Sequence, residues 1–165
     1  MDRLILELRL LPEDCYLKMN HTINEVNRIL AEAGSDQLVS PLKGNVVFSS
    51  AFYGWSFTLE SFAAIYSEYH PSVDYKKFAK RLWGDIWFDP TSRKFTRTSP
   101  PEGDLRPRSF VQFIMAPLHK IYSHVIGQNP EELAPLLTEL DIHLNQTELN
   151  YNPQALTLHY PLKIF

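Results

Sequence analysis

Apolar positions along the chain recur with helical spacing in some stretches and run together in others, and these patterns mark out its elements. Pro12 suits the first position of a helix, and Glu13 and Asp14 put negative charge in its first turn. Behind them Tyr16, Met19, Ile23, Val26 and Leu30 form one apolar stripe, while Lys18, Asn24, Glu25 and Arg28 fall off it. Gly34 is a natural stop, and residues 35–43 read as a linker. Val46, Val47 and Phe48 then make a short apolar run whose β-branched members favour a buried strand. Ser49, Ser50 and Ala51 break that run with small side chains, Phe52, Tyr53 and Gly54 follow, and helical spacing returns at Leu59, Phe62, Ala63 and Tyr66. Small residues at the carboxyl end of a buried strand let a ligand approach the backbone, which is the edge where open α/β sheets bind ligands. An ordinary strand–turn–helix is the plainer reading of the same residues.

The helix from Leu59 should end before Pro71, because the residue ahead of a proline is pushed out of the helical region. A second short helix fits Asp74 to Leu82, with Tyr75, Phe78, Ala79 and Leu82 on one side and Gly84 at its end. Residues 85–88 and 94–96 read as two strands around a turn at 89–92. Ser99 to Pro107, with three prolines and a glycine, reads as a surface loop. Phe110, Phe113, Ile114, Leu118, Ile121, Tyr122 and Val125 keep helical spacing, but Pro117 interrupts the hydrogen-bond pattern. A kinked helix is preferred there over a strand ending near Met115 with a helix from Ala116. Asn129, Pro130, Glu131 and Glu132 open a further helix carrying Leu133, Leu136, Leu137 and Leu140. A last turn starts at Asn152, and Leu158 to Phe165 shows no strong pattern, as does the mostly apolar stretch Leu4 to Leu11. The expected class is α/β to α+β, in two parts: residues up to Tyr66 with the strand and loop, then a helix-rich segment with one β-hairpin.

Composition adds limits to this picture. A chain of 165 residues with 44% hydrophobic and 21% charged residues folds around a core. The net charge of −3 conceals nine Lys and Arg against five Asp and Glu between Ser72 and Arg108, a local excess of +4. Such an excess is more often a solvated face, and RNA or phosphate contact is the sharper alternative. The lone cysteine, Cys15, excludes an internal disulfide framework and, with no companion base evident, reads as inert. The opening residues are too charged for a signal peptide, and no run of eighteen apolar residues is present to span a membrane. The six histidines are scattered, and His119 and His124 are five apart, which misses the same-face spacing of a helical zinc pair. No nucleophile–base constellation and no Gly-rich phosphate loop stands out. Trp83 and Trp87, with basic neighbours, could stack on single-stranded RNA, although a hairpin with its aromatics in a core is the favoured reading. Residue chemistry alone therefore points to a binding or structural module with no catalytic and no metal residues.

Several spaced motifs together resemble the elongation-factor-2-like branch of translational GTPases, from Met1 to about Asn152. Met1-Asp2-Arg3-Leu4 is similar to the end of the base-recognition motif Asn-Lys-x-Asp, and Pro12 through Asn27 resembles the helix that follows it. Gly44-Asn45-Val46-Val47-Phe48, Ser50-Ala51-Phe52 and Gly54-Trp55 resemble the family's strand and last nucleotide-binding loop, continued by Phe57-Thr58-Leu59 and Phe62-Ala63. Leu82-Trp83-Gly84-Asp85, Phe88-Asp89-Pro90 and Lys94-Phe95 resemble the insert subdomain that follows. Phe78 to Ile86 and Arg108 to Val111 place the spliceosomal type, that of the U-five small nuclear ribonucleoprotein, first. Gly54-Trp55 keeps elongation factor 2 itself as the alternative, and the ribosome-assembly type ranks behind both.

The resemblance implies the C-terminal part of a P-loop GTPase domain over residues 1–66, an insert subdomain over 67–157 and a divergent tail over 158–165. It implies guanine binding by Asp2, Ser50 and Ala51: the carboxylate would take two hydrogen bonds from guanine, and the Ala51 N–H would reach the guanine carbonyl. The family's phosphate loop, threonine-bearing switch and metal-proximal motif would all lie before Met1, as in a truncated product. GTP or GDP with magnesium is thus expected for the full-length relative, with neither binding well to this chain alone and no hydrolysis by it. Partners implied are spliceosomal proteins and small nuclear RNA, with weak RNA contact through the basic 72–108 segment, in the nucleus, or in the cytoplasm on the elongation-factor alternative. A nucleotide-free protein- or RNA-interaction module is the competing expectation.

Overall fold

The apolar run at residues 46–48 does not form the strand it predicts. In the computed structural model, which describes residues 1–125, strand β1 is Phe48–Ser50 and lies two residues later. It pairs antiparallel with β2, Trp55–Phe57, in the register Phe48↔Phe57, Ser49↔Ser56, Ser50↔Trp55. The side chains alternate: Phe48, Ser50, Trp55 and Phe57 are buried, while Ser49 and Ser56 face out. That is the period-two signature of a half-buried strand, masked in the sequence because a serine holds an inward position. Val47, expected in the core, is 58% exposed. Gly54 closes the hairpin turn at φ +68°, a left-handed conformation that costs a residue with a Cβ roughly 1–2 kcal/mol.

Helix α1, Pro12–Glu32, begins and ends where the sequence places it, with Gly34 beyond it at φ +76°. Within α1 only Cys15 and Tyr16 are buried; Met19, Ile23 and Leu30 of the expected stripe are half-buried and Val26 is exposed. Ahead of α1 the unpatterned stretch contains a π-helical turn, Arg3–Glu7, that buries Ile5. A 3-10 turn, Pro41–Lys43, leads from the linker to β1.

Helix α2, Leu59–Tyr69, starts on a reciprocal cap: the Thr58 hydroxyl accepts from the Ser61 N–H and Ser61 Oγ accepts from the Thr58 N–H. It stops two residues before Pro71, as the proline requires. Helix α3, Tyr75–Ala79, is capped by Asp74, whose Oδ1 accepts from the Lys76 and Lys77 N–H groups, and it packs against α2. Strands β3, Trp87–Asp89, and β4, Lys94–Thr96, form the expected hairpin, its turn held by Asp89 accepting from the Thr91 N–H and the Ser92 hydroxyl. Trp83 and Trp87 are both buried, as the core reading of these aromatics expects.

The run containing Pro117 is helical throughout, not a strand followed by a helix. Val111–Met115 is a π-helical turn in which the Ala116 N–H reaches back to the Val111 carbonyl, and α4, Ala116–Val125, continues from it. Pro117 thereby falls at the second residue of α4, inside a continuous helical run, where its missing N–H leaves one backbone bond of the run unmade. Tyr16, Phe48, Trp83 and Phe110 meet at ring separations of 4.9–5.8 Å and form the centre of a core that draws on every helix. With two small antiparallel hairpins and no parallel pair among the described residues, the arrangement is α+β, and the α/β alternative is not realised there. The helix read from Asn129, the turn at Asn152 and the tail from Leu158 lie outside the described residues.

Candidate functional site

The π-helical turn after Asp2 lays the amino-terminal residues beside β1. The Met1 ammonium donates to the Ser49 carbonyl at 2.8 Å, and Asp2 Oδ2 accepts from the Phe52 N–H at 3.0 Å. Asp2, Ser50 and Ala51 are therefore brought together at one place, the loop between β1 and β2. Desolvation pushes the Asp2 carboxyl up, but the Ser50 hydroxyl, the Phe52 and Ala51 backbone and the Met1 ammonium together outweigh it. The net result lies below the usual carboxylate value, so the group is an ionised acceptor at neutral pH.

Ser50 is the hinge of this arrangement rather than an open wall. It is buried, its Oγ accepts from the Tyr53 N–H at 3.0 Å, and its hydroxyl also lies against Asp2 and Tyr122. Ala51 follows it at the exposed start of the turn. Tyr122, from α4, stacks on Tyr53 with ring centroids 4.8 Å apart and 17° between planes. Its hydroxyl accepts from Trp55 Nε1 at 2.8 Å, and burial holds that phenol well above its ordinary value. Phe52, at the turn, is 67% exposed and meets the Tyr53 ring edge-on.

Phe52, Trp55 and Tyr122 are the parts of the site that residue chemistry overlooks. Phe52 sits in the small-residue loop, where an exposed aromatic could have drawn attention. Tyr122 lies 67 residues from Trp55 and shows only the apolar period of its own helix, so no local signal announces the contact.

Cys15 requires a correction. The sequence shows no base near it, yet the fold places His119 Nε2 at 3.6 Å from its Sγ. Burial, with a smaller effect of Asp14, pushes the thiol up to about 11, and burial lowers His119. Both members are neutral at physiological pH, so the pair is a packed contact and not an activated nucleophile. Among the described residues no group of three His, Cys, Asp or Glu side chains could hold a metal ion, and no helix is long and apolar enough to cross a membrane.

The basic 72–108 segment is partly neutralised from within. Arg106 pairs with Asp104 at 2.6 Å and with Asp89 at 3.4 Å. Arg108 pairs with Asp85 at 2.9 Å and with Glu13, and lies over the Tyr16 and Trp87 rings. Arg81 covers the Phe95 ring, and Lys77 pairs with Asp74 at 3.3 Å.

No known protein-family profile matches the chain. It is 44% identical over 161 aligned residues to the 109 kDa U5 small nuclear ribonucleoprotein component GFL and, equally, to the 110 kDa component CLO, both of Arabidopsis thaliana. It is 43% identical over 158 residues to the pre-mRNA-splicing factor cwf10 of Schizosaccharomyces pombe. Each alignment covers 94% of this chain and 16% of the relative, so the chain spans about one sixth of the length of these curated relatives. The resemblance to the spliceosomal type is borne out: the chain is homologous to two U5 small nuclear ribonucleoprotein components and to a pre-mRNA-splicing factor.

Proposed function

We propose that this chain, a relative of U5 small nuclear ribonucleoprotein components, carries the guanine-edge half of a GTP-binding site from a spliceosomal, elongation-factor-2-like GTPase. The observation that carries the reading is the hydrogen bond from the Phe52 N–H to Asp2 Oδ2, which joins two motifs fifty residues apart. An ionised carboxylate held there suits the adjacent ring N–H and exocyclic amine of guanine. Adenine lacks that donor pair, and leaving the acceptor unmet costs about 1–3 kcal/mol. Ser50 orients the carboxylate from beneath, Ala51 leaves room for the base and offers its N–H to the guanine carbonyl, and Phe52 provides an apolar face beside it. No described residue is assigned to the phosphates or to magnesium, so the chemistry of this site ends at base recognition.

The names of the relatives favour pre-mRNA splicing in the nucleus over ribosomal translocation. On this reading the partners are spliceosomal proteins and small nuclear RNA, and residues 67–157 form the insert subdomain that meets them. The nucleotide serves the protein of which these residues form a part, and this chain alone neither binds it tightly nor turns it over.

Amide shifts measured on the labelled chain at millimolar nucleotide test the site. GDP is expected to move the Ala51, Phe52 and Gly54 signals weakly, ADP to leave them, and Asp2→Asn to exchange the GDP response for a xanthosine diphosphate response. Equal shifts with GDP and ADP would remove the guanine assignment. Magnesium-dependent GTP hydrolysis by the purified chain would overturn the half-site reading.

A further inference from the structure

Helix α3 sorts its lysines. Lys77 pairs with Asp74 at 3.3 Å, whereas Lys76 and Lys80, four residues apart and so on one face, have no carboxylate within ion-pair distance among the described residues. Both border a cleft of about 330 Å³ whose opposite side is supplied by Lys43 at the end of the 3-10 turn. Lys43 Nζ donates only to the Leu38 carbonyl, at 3.3 Å, and Lys76 Nζ stands 5.8 Å over the Tyr75 ring. The cleft floor is apolar, formed by the buried residues Pro41, Leu59 and Ala79, and Glu60 is the one acid along it. Like charges on adjacent helical turns repel by a few tenths of a kcal/mol. Three of them gathered from two separate segments around a concavity, none ion-paired among the described residues and with Glu60 the single opposing charge, focus a positive field. The amino end of α2, where Leu59 and Glu60 begin the helix, adds to the same sign.

We propose that this cleft seats the phosphate backbone of an RNA strand. Lysine is a point-charge partner for phosphate, and it is depleted at the centres of protein–protein interfaces, where Trp, Tyr and Arg concentrate. No Trp, Tyr or Arg lines this cleft, and it has no Gly-rich run of N–H groups that would cradle a small phosphate ligand. Contact of this kind is independent of base sequence and strongly dependent on salt. Within the basic 72–108 segment, where Lys77, Arg81, Arg106 and Arg108 are engaged within the fold, it selects the two lysines that share a cleft, Lys76 and Lys80, and it adds Lys43 from outside the segment. The cleft shares no residue with the Asp2–Ser50–Ala51 site, so it stands or falls without the guanine reading.

Fluorescence anisotropy with short labelled polyuridylate and polyadenylate strands tests the cleft on the whole chain. Similar affinity for both strands is expected, with a log–log salt slope near −2 for three phosphate contacts to a single strand. Replacing Lys43, Lys76 and Lys80 together by Ala should weaken binding by about tenfold or more and flatten the slope. Replacing the three by Arg should retain binding, and Lys77→Ala, outside the cleft, should change little. All these positions are exposed, and circular dichroism confirms that each variant is folded. The proposal fails if the chain binds neither strand, or if the triple Ala variant binds as the parent does. It also fails if polyglutamate of matched charge displaces RNA at lower concentration than unlabelled polyuridylate does, which would make the cleft a protein-docking site.

Discussion

Phe48 packs between the rings of Trp83 and Phe110, at 5.5 and 5.0 Å, while its neighbour Val47 stands 58% exposed beside a groove that α1 lines with Met19 and Ile23. Val47, just ahead of β1, and Phe48, its first residue, belong to one apolar run in the sequence. On the Phe48 side, residues from later in the chain arrive to close the packing: Trp83 after α3 and Phe110 before α4, with Tyr16 of α1 against both. On the Val47 side, no α1 residue beyond Tyr16 is buried, and the stripe that periodicity draws along the helix is only half-covered by the described residues. Periodicity reports which side chains share a face. What covers that face is decided by whatever other segment packs there, and local pattern is silent about it.

The contrast can be attacked at several strengths. Phe110→Ala removes a fully buried ring from the centre of the aromatic cluster and should destabilise the fold by about 3–5 kcal/mol, measured by urea denaturation. Tyr122→Phe keeps the stack on Tyr53 but removes the buried hydroxyl that accepts from Trp55 Nε1, at a cost of about 1–3 kcal/mol. Hydrogen exchange in that variant should rise first at Tyr53 and Trp55, next to the candidate site. Ile23→Ala, on the half-covered stripe, should cost less, about 1–2 kcal/mol, because part of the side chain stays in water in the folded chain. If Ile23→Ala matched Phe110→Ala in urea, the two sides would be equally closed and the contrast would collapse.

The candidate site divides in the same way between local and distant causes. Asp2 and Ser50-Ala51 were legible only through their resemblance to spaced motifs of the elongation-factor-2-like branch, since residue chemistry alone marks no site there. Their meeting through the Phe52 N–H was not legible, since it depends on a π-helical turn in a stretch without any period. The β1–β2 hairpin was missed for a different reason: Ser50 occupies an inward position, and a serine there hides the alternation that Trp55, Ser56 and Phe57 repeat on the partner strand. The same serine is buried because its hydroxyl has the Tyr53 N–H to satisfy it.

The amino-acid sequence by itself determined where α1 starts and stops, where α2 ends and where the β3–β4 hairpin turns, while α3 is shorter than the 74–82 span its period suggests. These depend on caps, prolines, turn residues and a left-handed glycine, all of which act within a few positions. Only the tertiary structure decided that Cys15 meets His119, that Arg108 reaches Glu13, that Tyr122 supports the loop after β1, and that Lys43 joins Lys76 and Lys80 around one cleft. Each of these contacts joins residues more than thirty positions apart. Such distant contacts are set by how whole faces pack together, and no short stretch of sequence encodes that.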